Sequence, residues 1–123
     1  MSEEQPDVVV LDRRIEPGEL RRLVERFEDM VKFVVDVESG RLAVGGEMHA
    51  DAEQVLLDSG ARQANLWGAN YYPGRGPEAC IEYTSLINIR PAAGNRSMEL
   101  QDATLRERLR SIAFALLGEG EPL

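Results

Sequence analysis

Hydrophobic residues recur at helical spacing in two segments of the chain, one near each end. In the first segment, 17–28, the apolar positions follow i, i+3, i+4 and i+7: Leu20, Leu23, Val24 and Phe27. In the second segment, 105–116, they follow i, i+4, i+7 and i+11: Leu105, Leu109, Ile112 and Leu116. Polar residues fill most other positions, so each segment is predicted to be an amphipathic helix. We expect Pro17 in the first turn of one helix and Asp102 or Thr104 as the cap of the other.

Strand patterns occupy the middle of the chain. Apolar and polar residues alternate over 31–37, and a second run over 41–44 follows the turn residues 38–40. This arrangement predicts a β-hairpin. Two further β-rich runs, 66–72 and 80–89, flank a loop rich in glycine and proline, and they predict a second hairpin.

A short helix is predicted between the two hairpins. Asp51 and Gln54 have the spacing of a capping box, and Gly60 suits the left-handed position after the helix. The predicted order is therefore α-β-β-α-β-β-α. Because this order lacks a βαβ rhythm, it favours an α+β fold in which helices pack on a four-stranded, mainly antiparallel sheet. We expect a single domain over residues 1–123, with an ordered core of about 8–117 and frayed ends.

The charge of the chain argues against bulk binding to nucleic acid. Lys and Arg total 14 against 22 Asp and Glu, a net charge of −8, whereas DNA and RNA binders depend on clustered basic residues. No apolar stretch approaches the roughly 20 residues that span a bilayer, and no secretory signal is recognisable. The single cysteine, Cys80, cannot form an internal disulfide and has no basic neighbour that would activate it. We therefore expect a cytoplasmic protein without membrane contact.

The only histidine of the chain lies in the glycine-led segment 45–51. In an extended backbone Glu47, His49 and Asp51 project to one side, and these side chains are suitable ligands for a divalent metal. Glu47 and His49 could instead act as a general acid/base pair. A structural interpretation is also open, because Asp51 is already explained as a helix cap. We keep Glu47 and His49 as the catalytic candidates and expect no metal site and no cofactor.

A positive island follows the last predicted strand. Five of its residues could bind an anion such as phosphate or carboxylate: Asn88, Arg90, Asn95, Arg96 and Ser97. On a strand, Ile87 and Ile89 would face the core, so Asn88 and Arg90 would share the opposite face. Alternatively, the two arginines neutralise neighbouring carboxylates and hold a long loop in place.

Trp67 is the only tryptophan of the chain and shares a predicted strand face with Ala69 and Tyr71. It could line a ligand pocket or close the core. We favour core packing and keep the pocket role as an alternative.

Three polar segments carry a resemblance to a known family. Residues 45–51, 65–73 and 87–97 match the patterns GGE-x-H-A-D, NLWG-x-N-x-YP and INIRP-x-x-GNRS, and a DMVK-x-VVD stretch runs over 29–36. In these motifs, and over nearly all of 15–117, the chain resembles a small prokaryotic family of cytoplasmic proteins with a domain of unknown function. The resemblance implies a shared fold. It assigns no catalytic residues, because no activity is established for that family.

Two hypotheses of function follow. In the first, the segments of Glu47 and His49 and of Arg90 and Arg96 meet at one end of the sheet and bind a small anionic ligand. Binding is expected rather than catalysis, and a small hydrolase is the enzyme class kept as an alternative. In the second, the protein is a non-enzymatic interaction module, such as a homodimer, whose polar motifs are structural.

Overall fold

Five antiparallel strands form one sheet in the computed structural model of the protein, which describes residues 7–123. The strands lie in the order β1-β3-β2-β4-β5: β1 (Val8–Leu11), β2 (Val31–Asp36), β3 (Leu42–Gly45), β4 (Leu66–Tyr71) and β5 (Ile81–Glu82). Three α-helices pack on this sheet: α1 (Pro17–Arg26), α2 (His49–Asp58) and α3 (Ala103–Leu116). The predicted α+β class, the single domain and the first hairpin are confirmed, and the second hairpin is confirmed only where the two residues of β5 pair with β4.

The sheet has five strands rather than the four predicted, because residues 8–11 form an additional edge strand. β1 pairs with β3, so that Val8 lies opposite Gly45 and Leu11 lies opposite Leu42. The sequence does not predict this strand, because four consecutive apolar residues show no alternation with polar ones. Its partner, β3, also comes from a distant part of the chain. Residues 1–6, which make up most of the predicted frayed start before residue 8, lie outside the described residues.

The two faces of the sheet are buried under different helices. The larger core lies between one face and helices α1 and α3, and its central members are fully buried: Leu23, Phe33, Val35, Val44 and Leu109. The smaller core lies between the opposite face, here called the α2 face, and helix α2: Val34, Ala43, Ala52, Leu56 and Leu66. Neighbouring strand residues point to opposite faces. β2 is therefore apolar on both faces at its centre.

Local sequence explains how the two terminal helices begin. At the start of α3 the Asp102 carboxylate accepts a hydrogen bond from the Leu105 N–H at 2.9 Å, as predicted. Pro17 occupies the first turn of α1, where its missing N–H costs no hydrogen bond. Glu28 and Asp29 follow α1 with φ angles of 63° and 75°, a left-handed conformation that ends the helix.

The strand predicted over 80–89 is wrong for most of its length. β5 covers only two residues, and the chain then forms two 3₁₀ turns, 86–88 and 91–93. Because the strand does not continue, Asn88 and Arg90 do not share an exposed face. Asn88 is fully buried instead.

The last residues of the chain pack against the protein, whereas the sequence predicts a frayed end. Gly120 donates its N–H to the Tyr71 hydroxyl at 2.9 Å. Its carbonyl accepts a hydrogen bond from the Gly74 N–H at 3.0 Å. The loop after β4 therefore holds the end of the chain against the sheet.

Candidate functional site

His49 is the first residue of α2, which begins earlier than the sequence predicts. Met48 precedes the helix, and Asp51 lies within the first turn, so the prediction of Asp51 as the cap residue is wrong. The Asp51 carboxylate accepts a hydrogen bond from the Met48 N–H at 3.1 Å. It therefore stabilises the first turn from inside the helix. Because the backbone is helical here, Glu47, His49 and Asp51 do not project as a row along an extended strand.

The imidazole of His49 is inserted between α2 and β4. Its Nε2 lies 2.8 Å from the Ala69 carbonyl oxygen. Because a carbonyl oxygen only accepts hydrogen bonds, Nε2 carries the proton and donates the hydrogen bond. The residue is 9% exposed. Burial lowers the pKa of His49 below its ordinary value of 6.5, and the Lys32 charge lowers it further. The Ala69 carbonyl and the Asn70 amide act in the opposite direction. The ring is therefore neutral at pH 7, with Nδ1 as its basic atom.

Gly68 on β4 leaves the space into which His49 and Ser85 fit. A Cβ atom at this position would lie 2.9 Å from Ser85 Oγ and 3.1 Å from His49 Cδ2. The ring turns its Cδ2 edge toward this point, and Nδ1 is on the other side of the ring. Ser85 and His49 both lie next to Gly68, but no hydrogen bond joins them among residues 7–123, and a nucleophile and its base require one.

Replacement of Gly68 by alanine is expected to lower the free energy of unfolding by about 1 to 2 kcal/mol, because the added methyl group overlaps with buried neighbours. Chemical denaturation measures this change. Gly18→Ala in α1 is the control, since a Cβ atom there meets no atom within 4 Å. If the two variants have equal stabilities relative to wild type, His49 and Ser85 move aside without cost and the tight fit is refuted.

A cavity of about 350 Å³ opens beside His49 on the α2 face. We call it the His49 cavity, and eight residues line it: Lys32, Glu47, Met48, His49, Ala50, Ser85, Leu86 and Ile87. Its rim is apolar and accessible, because Met48 is 57% exposed and Leu86 is 65% exposed. Lys32 is the only lysine of the chain, and His49 is its only histidine.

Polar side chains continue from the cavity across the α2 face of the sheet. Lys32 on β2 lies opposite Asn70 on β4, and Asn70 lies opposite Glu82 on β5. Asn70 Nδ2 donates a hydrogen bond to Glu82 Oε1 at 2.8 Å. Asn70 Oδ1 is buried and has no hydrogen-bond partner among residues 7–123. The row therefore places a cation and an anion on either side of a buried amide.

Asn88 closes the outer edge of β4. β5 pairs only with Asn70 and Tyr71, so Gly68 has no strand neighbour on that side. The Asn88 Oδ1 accepts a hydrogen bond from the Gly68 N–H at 2.9 Å, and Nδ2 donates to the Gly68 carbonyl at 3.0 Å. Nδ2 also donates to the Met98 carbonyl at 3.1 Å. Both ends of this amide are therefore used by the backbone.

Arg90 and Asn95 also bind the backbone. Arg90 Nη2 donates to the Leu66 carbonyl, and the guanidinium carbon lies 4.2 Å from the centre of the Trp67 ring. Burial lowers the pKa of Arg90. Asn95 Nδ2 donates to three carbonyls of the same loop: Asn88, Ser97 and Glu99. The guanidinium is thus held at the start of β4, about 10 Å of strand away from the carbonyl that His49 binds.

The remaining candidates lie outside the cavity. Arg96 is exposed, and the Ser97 hydroxyl accepts a hydrogen bond from the Glu99 N–H at 3.0 Å. Trp67 is 4% exposed and packs in the larger core. Neither Arg90 nor Arg96 forms an ion pair within 4 Å with any residue of 7–123, although the Glu53 charge acts on Arg90 from a longer distance. The structure brings Glu47 and His49 together in one cavity, but not with these arginines.

A model of the family DUF5674, described as a protein of unknown function, matches residues 9–116 of the chain. The chain belongs to this family. The match confirms the resemblance to a family of unknown function, while no curated protein and no solved structure matches the chain. In the described part of this DUF5674 chain, every helix is too short or too polar to cross a bilayer. The same residues contain no group of three or more His, Cys, Asp or Glu side chains that could hold a metal ion.

Three polar residues in or beside the cavity of this DUF5674 chain were not predicted: Lys32, Asn70 and Ser85. Lys32 carries a signal in the sequence, because it is a single lysine beside 13 arginines. Genome composition is sufficient to explain such a bias, so the sequence alone does not mark Lys32 as a site residue. Its position in the lining of the cavity does. Asn70 and Ser85 have no pattern in the sequence that marks them as site residues. Asn70 lies near His49 because of the register of β4, and Ser85 because of the 3₁₀ turn that follows it.

The titration of His49 is expected to have its midpoint below pH 6.5, because burial disfavours the charged ring. The unfolded chain takes up this proton near its ordinary pKa, whereas the native ring takes it up only at lower pH. The free energy of unfolding should therefore fall as the pH drops below about 6.5, and the loss ends below the native pKa. The single histidine gives one set of ring signals in proton NMR, which measure the midpoint directly.

Denaturation of His49→Gln is the control for this pH dependence. Glutamine can keep a donor near the Ala69 carbonyl but does not titrate, so the loss of stability between pH 6.5 and pH 5 should be smaller in this variant. A midpoint at or above pH 6.5 in the wild-type protein would contradict the assigned burial effect.

Proposed function

We propose that this protein binds a small organic anion in the His49 cavity. The observation that best supports binding is that the only lysine and the only histidine of the chain line one cavity whose remaining wall is largely apolar. Its volume of about 350 Å³ lies within the usual range of small-ligand sites. A concave, mostly apolar surface with a few convergent polar groups is the typical form of such a site.

Lys32 supplies the positive charge of the proposed site. It has no carboxylate within ion-pair distance among residues 7–123, although Glu47 lines the same cavity. The neutral His49 ring adds no charge, and its Nδ1 is an acceptor that can bind a donor group of the ligand but not the anionic oxygen itself. The site expected from the sequence thus keeps Glu47 and His49, and Lys32 takes the place of the two arginines as its cation.

Binding is favoured over hydrolysis by the orientation of the polar groups. The Ser85 hydroxyl accepts a hydrogen bond from the Ile87 N–H at 3.2 Å, and the Nε2–H of His49 is used by the Ala69 carbonyl. A serine nucleophile requires a basic nitrogen within hydrogen-bond reach of its oxygen. No hydrogen bond joins Ser85 to His49 among residues 7–123, so the pair provides a polar wall rather than an activated nucleophile.

Binding can be followed through the His49 ring signals, since no other histidine overlaps with them. A set of small organic acids, amines and neutral analogues is titrated into the full chain. We expect saturable shifts with acids in the wild-type protein, and loss of these shifts in Lys32→Met. Arg96→Met is the matched control and should bind as the wild type does.

The opposite pattern would overturn the proposal. If Arg96→Met loses binding and Lys32→Met retains it, the cation is on the loop and the site lies outside the His49 cavity. If amines or neutral compounds bind better than acids in every variant, the ligand is not an anion.

A second candidate function is a protein contact through the rim of the cavity. Four large apolar side chains of this region are exposed: Met48, Leu86, Ile89 and Met98. Apolar patches of this kind mark interfaces when they are contiguous. Sedimentation of the wild-type protein and of Leu86→Ser tests this candidate. A wild-type dimer that dissociates in the variant would favour the interaction module, and two monomeric proteins would argue against self-association.

A further inference from the structure

We propose that the ligand of the His49 cavity is a monocarboxylate with a short apolar chain or ring. This inference rests on the proposed function and names the ligand class. Among the residues that line the cavity, Lys32 is the only one with a positive charge, and Glu47 contributes a negative one. No carboxylate lies within ion-pair distance of Lys32 among residues 7–123, so its ammonium group is available to one negative charge of a ligand. A dianion such as a phosphate monoester would leave its second charge unpaired beside Glu47.

The glycine pair before α2 does not provide a phosphate loop. Gly46 donates its N–H to the Asp7 carbonyl at 3.0 Å, so this group is not available to a ligand. A Cβ atom on Gly46 would lie 2.9 Å from Asp51 Cβ, and one on Gly45 would overlap with the Asp7 carbonyl. These glycines therefore permit close packing of the chain. Phosphate sites need several backbone N–H groups that converge on the anion.

The carboxylate has a place between Lys32 and the first turn of α2. His49 and Ala50, the first two residues of this ten-residue helix, both line the cavity. The first N–H groups of a helix have no acceptor within it, and the positive end of the helix dipole attracts anions. Lys32 reaches the same cavity from β2. The Asp51 carboxylate takes the Met48 N–H at this end of the helix, so the His49 and Ala50 N–H groups are the ones from which a ligand carboxylate would accept hydrogen bonds while it pairs with the ammonium.

The apolar part of the ligand is assigned to the opposite wall. Met48, Leu86 and Ile87 line the cavity, and the first two are more exposed than most large apolar side chains of this protein. An inorganic anion would leave this wall in contact with water. A short hydrocarbon chain or ring would remove it from water, which is favourable in proportion to the apolar area that becomes buried.

Four six-carbon or smaller probes separate the contributions of charge and chain. Hexanoate, 1-hexanol, hexyl phosphate and acetate are titrated into the full chain at neutral pH, and the His49 ring signals give each dissociation constant. We expect hexanoate to bind about tenfold or more tightly than each of the others. Leu86→Ser should weaken hexanoate binding but leave acetate binding unchanged. Leu123→Ser, a matched change at another exposed leucine, should leave both unchanged.

Each alternative result identifies which statement is wrong. Tighter binding of hexyl phosphate overturns the monocarboxylate class and leaves anion binding in place. Equal binding of acetate and hexanoate shows that the ligand needs no apolar chain or ring, and leaves the carboxylate assignment in place. Equal binding of hexanol and hexanoate overturns both the class and the proposed function, as does the absence of a saturable shift with all four compounds.

Discussion

Leu109→Ala is expected to lower the free energy of unfolding by about 3 kcal/mol. Leu109 is 0% exposed, lies in the middle of α3 and packs in the larger core. Truncation removes apolar contacts and leaves a cavity, because the surrounding sheet and α1 are held by many other contacts and cannot close over it. Denaturant unfolding, with a common slope for both proteins, measures the change.

Leu123→Ala is the control for this measurement. Leu123 is 45% exposed, so the same truncation should change the free energy of unfolding by less than about 0.5 kcal/mol. A change of that small size in Leu109→Ala would mean that α3 does not cover the sheet.

The helices of this fold could be predicted because their signals are local. The apolar stripe of α3 repeats within one segment, and Asp102 caps the helix that it precedes. The first hairpin is similar, since the alternation of β2 and the turn after it adjoin in the chain. In each case the residues that determine the element are also the residues that form it.

The strands at the two edges of the sheet depend on distant partners. β1 is a short apolar run that becomes a strand only by pairing with β3. The run over 80–89 has strand propensity, but Ser85 turns the chain into a 3₁₀ helix, where its hydroxyl accepts the Ile87 N–H. Tertiary contacts therefore decide both ends of the sheet, and alternation within the segment does not report them.

The candidate site could be predicted only in part, because some of its residues adjoin in the chain and others are brought together by the sheet. Glu47 and His49 adjoin in the chain, and their unusual chemistry made them candidates from the sequence. Lys32 joins them only because β2 runs beneath α2, and this neighbourhood is a property of the whole sheet. Arg90 was chosen for its charge; its Nη2 donates to the Leu66 carbonyl and the guanidinium lies over the Trp67 ring, while Nη1 is buried with no hydrogen-bond partner among residues 7–123.

The polar segment after β5 provides hydrogen-bond partners for the open edge of β4. An amide side chain has a donor and an acceptor at a spacing similar to that of a peptide group. Asn88 uses both on Gly68, where no strand continues the ladder, and Asn95 holds the Asn88 carbonyl from the other side at 2.8 Å. An open strand edge is a site for aggregation, so this cover has a clear physical benefit.

Asn88→Ala is therefore expected to lower the free energy of unfolding by about 2 to 3 kcal/mol. The side chain is 0% exposed, and its loss leaves the Gly68 N–H and the Gly68 carbonyl without this partner, while the Met98 carbonyl keeps the Ser85 N–H at 3.0 Å. Buried backbone groups without hydrogen bonds are costly. Denaturation measures the stability, and hydrogen exchange should show reduced protection of the Gly68 N–H.

Asn65→Ala is the matched control for the Asn88 variant. The Asn65 amide donates to the exposed Glu38 carboxylate at 3.2 Å, so its loss should cost less than about 0.5 kcal/mol. If Asn88→Ala is equally mild and the Gly68 N–H stays protected, another group covers this edge of β4. The Asn88 amide would then not be required for the fold, and its assignment as a ligand-binding group would regain support over the structural role.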